Sequence, residues 1–143
     1  MITTIKDVDG QLYYVNSASL NQTISIEPKV KILSPFDNLV IHRDRLNSLF
    51  KFDYRIECYV TESKRIYGYF CLPILYGDQL VGRIDCKAHR AKKVFEILSL
   101  HLENNIADRE HFFTELKTEI QKFSAFNQCP ILHENTLSIL NKS

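Results

Sequence analysis

The clearest hydrophobic pattern in the chain is a pair of strand-like runs joined by a Gly-Asp turn. Residues 67–75 are almost continuously apolar, which is typical of a strand covered on both faces. Residues 79–88 alternate between apolar and polar, which is typical of a strand with one buried face. Gly77-Asp78 lies between them and predicts a turn, so we expect an antiparallel β-hairpin. Pro73 cannot donate a backbone hydrogen bond and should lie at a bulge or an edge.

Further strand-like runs lie on both sides of this hairpin. Two short runs near the N-terminus flank Asp9-Gly10, the favoured order for a tight turn, and predict a small separate hairpin. Residues 54–60 alternate, so we expect Tyr54 and Cys58 to point inward and Glu57 outward. Because the later runs follow one another with short connections, they should form an antiparallel meander. These additional predicted strands are residues 2–8, 11–15, 30–33, 54–60 and 94–102.

Helical periodicity appears in two segments. Residues 108–126 predict an amphipathic helix that begins at Asp108, with acidic residues near its N-terminus as the helix dipole favours. Its apolar stripe consists of Phe112, Leu116, Ile120 and Phe123. A shorter helix is expected at residues 44–50, where Leu46 and Leu49 share a face. Residues 131–143 form a tail to which the pattern assigns no element.

Together these elements predict an α+β fold, in which an antiparallel sheet curls toward a partly closed barrel and the C-terminal amphipathic helix packs on it. The 143 residues suffice for one domain with a real core. Within it we expect an N-terminal hairpin and linker at 1–28, a core at 29–126 and a tail at 127–143. The composition, 45% hydrophobic and 24% charged, is that of a soluble globular protein.

We expect neither a signal peptide nor a membrane span in this chain. The residues after Met1 lack the basic and apolar regions of a secretory signal, and no run approaches the ~18 apolar residues of a membrane span. We therefore expect a cytoplasmic protein without membrane contact. The net charge of +1 argues against a globally basic nucleic-acid binder but does not address local clusters.

Four cysteines occur without a CxxC pair, which favours reduced, buried thiols. Zinc held by Cys58, Cys71 and Cys86 on neighbouring strands is geometrically conceivable, but it lacks a sequence signature, so we expect no metal or other cofactor. Two acid-base pairs, Asp37 with His42 and Asp85 with Lys87, are as easily explained as helix caps or a surface ion pair.

A dense basic cluster follows the second strand of the hairpin. Between residues 83 and 93 there are five lysines and arginines and one histidine, against a single acid. Basic side chains at a hairpin tip can project together toward successive phosphates of a nucleic acid. The alternative is a solvated turn kept soluble by its charge. The candidate DNA-binding residues are Arg83, Lys87, His89, Arg90, Lys92 and Lys93, with Lys64 and Arg65 in the loop before the hairpin.

Several ordered motifs give the chain a resemblance to a known family. They are SPFD at 34–37, FDYR at 52–55, YGY at 67–69, LP at 72–73, GD at 77–78 and VGRIDCKAHR at 81–90. Over residues 30–126 the chain resembles the C-terminal part of the YcaQ/AlkZ family, bacterial winged-helix DNA glycosylases that act on bulky alkylation damage and interstrand crosslinks. The resemblance implies that the β-rich domain helps to form a surface for double-stranded DNA, contacted through its backbone by the basic tip.

The catalytic signature of that family cannot be placed on this chain. The signature is Gln-x-Gln or Gln-x-Asp, and none of the five glutamines here is followed two positions later by Gln or Asp. The resemblance therefore implies a DNA-binding module with no catalytic residue of its own, completed by an N-terminal winged-helix portion of the same or a neighbouring gene product. The alternative is a stand-alone, non-catalytic interaction or accessory protein that retains the fold.

Overall fold

The computed structural model describes residues 1–142, which form two sheets and four α-helices. The strands are β1 (Ile2–Lys6), β2 (Leu12–Asn16), β3 (Val30–Ile32), β4 (Leu72–Tyr76), β5 (Gln79–His89), β6 (Val94–Leu102) and β7 (Ile131–Leu132). The α-helices are α1 (Ser17–Leu20), α2 (Arg43–Phe50), α3 (Arg109–Phe126) and α4 (Glu134–Leu140). Single 3₁₀ turns lie at Glu62–Lys64 and Arg90–Lys92.

The main sheet has five strands in the order β3-β4-β5-β6-β7 and curls into a half-barrel. Strands β4, β5 and β6 pair antiparallel, as predicted, and β3 adds an antiparallel strand beside β4. Within residues 1–142 only β7 runs parallel to its neighbour, β6. The register shifts between Ile74 and Leu75 in β4, one residue after Pro73, and between Asp85 and Cys86 in β5. Such bulges add local twist, which helps the sheet to curl.

Helix α3 packs on the sheet through its apolar stripe, and the predicted α+β class is confirmed. The helix begins after Asp108, whose side chain accepts a hydrogen bond from the backbone N–H of His111 at 2.9 Å. Phe112, Leu116 and Ile120 are fully buried. Phe123 lies edge-on against Phe95 of β6, with 5.8 Å between the ring centroids.

The segment after Phe126, to which the sequence pattern assigned no element, contributes two elements to the same core. Strand β7 pairs with β6, and the side chain of Thr136 in α4 accepts a hydrogen bond from the backbone N–H of Ile97 at 2.8 Å. Leu140 at the end of α4 is buried in the main hydrophobic cluster. A two-residue strand and a seven-residue helix are too short for their periodicity to predict them.

The strand predicted at residues 54–60 is wrong, because these residues form a loop. Tyr54 is buried as expected, and its hydroxyl donates a hydrogen bond to the carbonyl of Cys71 at 2.7 Å. Glu57, predicted to face outward, is instead only 2% exposed. The first strand of the predicted main hairpin, β4, also starts later than predicted, at Leu72 rather than Tyr67. The residues before it are held by hydrogen bonds to side chains and not by pairing with a neighbouring strand.

The predicted helix at residues 44–50 and the predicted N-terminal hairpin are both present. Helix α2 buries Leu46 in a second apolar cluster, whereas Leu49 is largely exposed. Strands β1 and β2 form a separate two-stranded sheet. It is attached to α2 through Asp7, because the hydroxyl of Ser48 donates to that carboxylate at 3.0 Å. No α-helix among residues 1–142 is long and apolar enough to cross a membrane.

Candidate nucleic-acid interface

The end of the β5–β6 hairpin carries a group of lysines and arginines, which we call the basic tip: Lys87, Arg90, Lys92 and Lys93. Strands β5 and β6 pair up to His89 and Val94, and the 3₁₀ turn Arg90–Lys92 connects them. Lys93 closes the turn in the left-handed conformation with φ of 54°. The strands thereby present four cations at one end of the sheet.

The four cations of the basic tip are exposed. Within residues 1–142 none of them is within 4.0 Å of a carboxylate oxygen. Lys87 does not pair with Asp85, which corrects the predicted surface ion pair. The bulge after Asp85 shifts the alternation of β5, and the carboxylate of Asp85 is buried. The charges of the basic tip are thus available to an external anion.

His89, also predicted to bind DNA, is engaged within the hairpin. Its Nε2 lies 2.7 Å from Oε2 of Glu96 on the paired strand. The hydrogen bond from His89 holds the pKa of Glu96 below its usual value. Asn135 of α4 also donates to Glu96, at 3.5 Å. His89 therefore ties the end of the hairpin together, beside the four free cations.

Arg83 does not belong to the basic tip, because it is buried with only 4% exposure. Its guanidinium lies 4.5 Å from the ring centroid of Phe52 and 4.0 Å from that of Tyr67. It also pairs with Glu103, at 2.9 Å between Nη2 and Oε1. The sequence placed Arg83 on the polar face of a strand, but residues of the preceding loop cover that face. Arg83 is part of the packing of this loop on the sheet.

Lys64 and Arg65 lie in a separate loop, residues 57–70, which we call the aromatic loop. The Nε of Arg65 donates to the carbonyl of Val60 at 3.0 Å, and its guanidinium lies 4.9 Å from the ring centroid of Tyr69. Lys64 is exposed at the end of a 3₁₀ turn. No hydrogen bond or ion pair among residues 1–142 joins these two residues to the basic tip.

Two buried carboxylates hold the aromatic loop against the sheet. Glu57 accepts hydrogen bonds from three successive backbone N–H groups, those of Ile66 at 2.9 Å, Tyr67 at 2.7 Å and Gly68 at 3.3 Å. Asp85 accepts one from the N–H of Tyr69 at 2.8 Å. Burial by itself would raise the pKa of Glu57, but the three donors outweigh it and the pKa lies below its usual value.

Gly68 is required where the loop passes Asp85. Its φ of +147° is rarely adopted by residues with a side chain. A Cβ at this position would lie 2.4 Å from Oδ2 of Asp85. The close approach of the backbone to the carboxylate therefore depends on glycine.

The aromatic loop displays side chains that the sequence pattern did not single out. Tyr59 is 95% exposed and Tyr69 is 56% exposed. The alternation of residues 54–60 suggested a strand with Glu57 and Tyr59 on one face, whereas the loop buries the glutamate and exposes the tyrosine. The pattern does not distinguish the buried glutamate from the exposed tyrosine, because the burial of Glu57 depends on hydrogen bonds from residues nine to eleven positions later.

The remaining acid-base candidates are structural. Asp37 accepts a hydrogen bond from the N–H of Leu39 at 2.8 Å, and Nδ1 of His42 accepts one from the N–H of Arg45 at 3.1 Å, so both act as caps.

A pocket of about 620 Å³ lies between β2 and α2. The polar side chains in its wall include Tyr13 and Ser48, which hydrogen-bond to each other at 3.1 Å.

The four cysteines are free thiols. Burial raises the pKa of Cys71 to about 11 and also raises that of Cys86, so both thiols stay protonated at neutral pH and are weak nucleophiles. Cys58 lies in the aromatic loop and not on a strand, contrary to the prediction. Among residues 1–142 no three side chains of His, Cys, Asp or Glu are grouped so as to hold a metal ion.

Comparison with known proteins gives one family match. The model of the family described as DNA glycosylase AlkZ-like matches residues 3–126. The match includes both candidate contact regions, the basic tip and the aromatic loop, and it begins in the N-terminal hairpin. No solved structure matches the chain.

Proposed function

Because the chain belongs to the AlkZ-like DNA glycosylase family, and hence to DNA repair, we propose that it grips duplex DNA through the basic tip without cleaving glycosidic bonds by itself. The observation that carries this proposal is the set of four exposed cations at the end of the β5–β6 hairpin, none of them paired with an acid within residues 1–142. Free cations on a rigid support can follow the phosphates of a backbone.

The chemistry of the basic tip favours recognition of the DNA backbone and shape. Lysine and arginine side chains bind phosphates irrespective of the base sequence. The tip is a single 3₁₀ turn between strands, and its exposed polar side chains are lysines and arginines. A glycosylase must hold a distorted duplex while the modified nucleotide leaves the stack, and a cationic hairpin can supply that hold.

The non-catalytic part of the proposal rests on the missing glutamine signature. None of the five glutamines has Gln or Asp two positions later. In this proposal a winged-helix portion of the same or a neighbouring gene product supplies the catalytic residues. The module then contributes binding energy and helps to orient the DNA. Both effects lower the barrier to reaction even when the catalytic residues lie in another part of the assembly.

A second candidate function, that of an accessory interaction protein, is favoured by one apolar groove. The groove has a volume of about 360 Å³. Phe36, which follows Pro35 of the groove wall, is 68% exposed. Exposed apolar surface of this kind is used in contacts between proteins. The apolar side chains that line it are Ile32, Leu33, Pro35, Phe70, Leu72 and Phe123. The duplex-binding experiment below separates the two functions, because an accessory protein of this kind needs no affinity for DNA.

The test compares the wild type with a variant in which Arg90, Lys92 and Lys93 are changed to Ala. Affinity for a fluorescent duplex is measured over a salt series. We expect the wild-type affinity to fall steeply with salt, and the log-log slope of the variant to be smaller by roughly three units at most. The matched control removes three exposed lysines outside both contact regions, at Lys6, Lys122 and Lys142, and should change the slope far less.

The outcome that contradicts the grip is binding that is insensitive to salt, or equally reduced in the tip variant and the charge-matched control. Catalysis is assayed separately as release of N7-alkylated guanine from damaged duplex. We expect no release by this chain alone. Release above the rate without protein would show that the chain is catalytic without the glutamine signature.

A further inference from the structure

We propose that the aromatic loop is a second contact to DNA, a preformed platform on which an unstacked base lies against Tyr69 and the guanidinium of Arg65. This inference rests on the proposed function, because it concerns the DNA that the basic tip would hold. It adds a class of ligand, the exposed base of an unpaired or extruded nucleotide, to the backbone contact.

The two side chains are in contact. Arg65 is anchored by the carbonyl of Val60, at 3.0 Å from its Nε. The same guanidinium lies 4.9 Å from the ring centroid of Tyr69. A planar cation held against an aromatic ring offers two flat surfaces, and both can stack on a base.

Hydrogen bonds to the rest of the protein hold the backbone of the platform in place. The carboxylates of Glu57 and Asp85 accept hydrogen bonds from the backbone N–H groups of four consecutive loop residues, 66–69. Ser99 of β6 donates to the carbonyl of Tyr67 at 2.8 Å, and His101 lies 3.1 Å from the same oxygen. A loop fixed by this many hydrogen bonds has a defined shape before a ligand arrives, so binding orders little of it.

The charges of the loop favour a nucleic acid over an apolar partner. Arg55, Lys64 and Arg65 lie within or next to it, whereas Glu62 is the exposed acid, since Glu57 is buried and bonded to backbone N–H groups. Aromatic side chains interleaved with cations are typical of surfaces that bind unpaired nucleotides, where the rings stack on bases and the cations meet phosphates. Isolated exposed tyrosines are common on protein surfaces, and the experiment includes one for comparison.

The experiment uses the full chain and two duplexes that differ at one position. One duplex is fully paired, and the other carries a single unpaired 2-aminopurine, whose fluorescence is quenched on stacking. We expect the wild type to prefer the second duplex and to change its fluorescence. Tyr69→Ala should weaken binding to that duplex by roughly five- to a hundredfold, the range found for loss of one stacked base. Tyr69→Phe should retain it, because the ring is kept.

Tyr14→Ala is the matched control, since Tyr14 is 79% exposed on the N-terminal hairpin, and it should have no effect. Equal affinity of the wild type for the two duplexes, or an unchanged Tyr69→Ala variant, overturns the platform. The basic-tip variant, measured on the same duplexes, separates the two proposals. If Tyr69→Ala has no effect and the tip still governs salt-dependent binding, only the platform fails. If Tyr69→Ala weakens binding and the tip variant does not, only the grip fails, and if neither duplex binds, both fail.

Discussion

Arg83 and Arg90 lie on the same hairpin but have opposite surroundings. Arg83 is sandwiched between the rings of Phe52 and Tyr67 and pairs with a glutamate, whereas Arg90 is exposed and has no acidic partner within residues 1–142. A stacked, buried guanidinium contributes packing as well as charge. One arginine therefore supports the fold, while the other is free for a ligand.

Replacing each arginine with alanine should separate these roles. We expect Arg83→Ala to lower the free energy of unfolding by about 2–3 kcal/mol, because it removes the contacts with both rings and leaves a cavity. Arg90→Ala should change it by less than ~0.5 kcal/mol, as for most exposed positions. Urea denaturation measures both changes. Equal effects of the two substitutions would contradict the assignment of Arg83 to the interior.

The same contrast shows how far residue-level prediction reaches. The alternation of β5 predicted that Arg83 and Lys87 share the polar face of the strand. Periodicity identifies the two faces of a strand, but it does not show which other residues cover them. The aromatic loop covers one face of β5 near Arg83 and leaves Lys87 free. Likewise, Glu57 was expected to be exposed, and its burial depends on backbone N–H groups of residues 66–68. Hydrogen bonds between residues this far apart in the chain leave no local sequence pattern from which the burial of a charged group could be predicted.

Among the elements, the longest were predicted from their periodic patterns, whereas the two C-terminal elements, which are defined by tertiary contacts, were not. Helix α3 and strands β5 and β6 have enough residues for their apolar spacing to repeat. Strand β7 has two residues and depends on pairing with β6, while the backbone of β6 is also bonded to Thr136 of α4. The C-terminal elements therefore form through contacts with β6 that the local sequence does not encode.

Thr136→Val tests whether α4 is integral to the fold. The substitution keeps the shape of the side chain but leaves the buried N–H of Ile97 without its acceptor. We expect a loss of about 1–3 kcal/mol in the free energy of unfolding. Thr118→Val on the exposed side of α3 is the matched control and should cost much less. Equal small effects in thermal or urea unfolding would mean that α4 adds little to stability.

At the scale of the whole molecule, charge couples stability to pH. The pKa values of Glu57 and Glu96 are both lower in the folded chain than in an unfolded one. Between the folded and unfolded pKa values the unfolded state binds more protons, so stability rises with pH in that range. The molecule should therefore lose stability as the pH falls below the ordinary carboxylate value of 4.5.

Glu57→Gln isolates one contribution to this acid sensitivity. Glutamine keeps one acceptor oxygen but presents an amide donor to backbone N–H groups, so we expect a loss of about 1–3 kcal/mol at pH 7. The difference from wild type should stay constant above about pH 5.5 and shrink below pH 4.5, as Glu57 of the wild type becomes protonated. Urea unfolding at several pH values measures it. The control is Glu62→Gln, in the same loop but exposed; a Glu57 difference that persists unchanged to pH 3 would contradict the argument.

The parallel pairing of β7 with β6 also affects the order in which the protein can fold during synthesis. Strand β6 is complete at Leu102, but the segment that pairs with its outer edge, at Val94 and Phe95, is translated only at Ile131–Leu132. A chain that is released before this segment is made leaves that part of the β6 backbone unpaired, and open strand edges promote aggregation. A chain that ends within α3 should therefore aggregate more readily than one that includes β7.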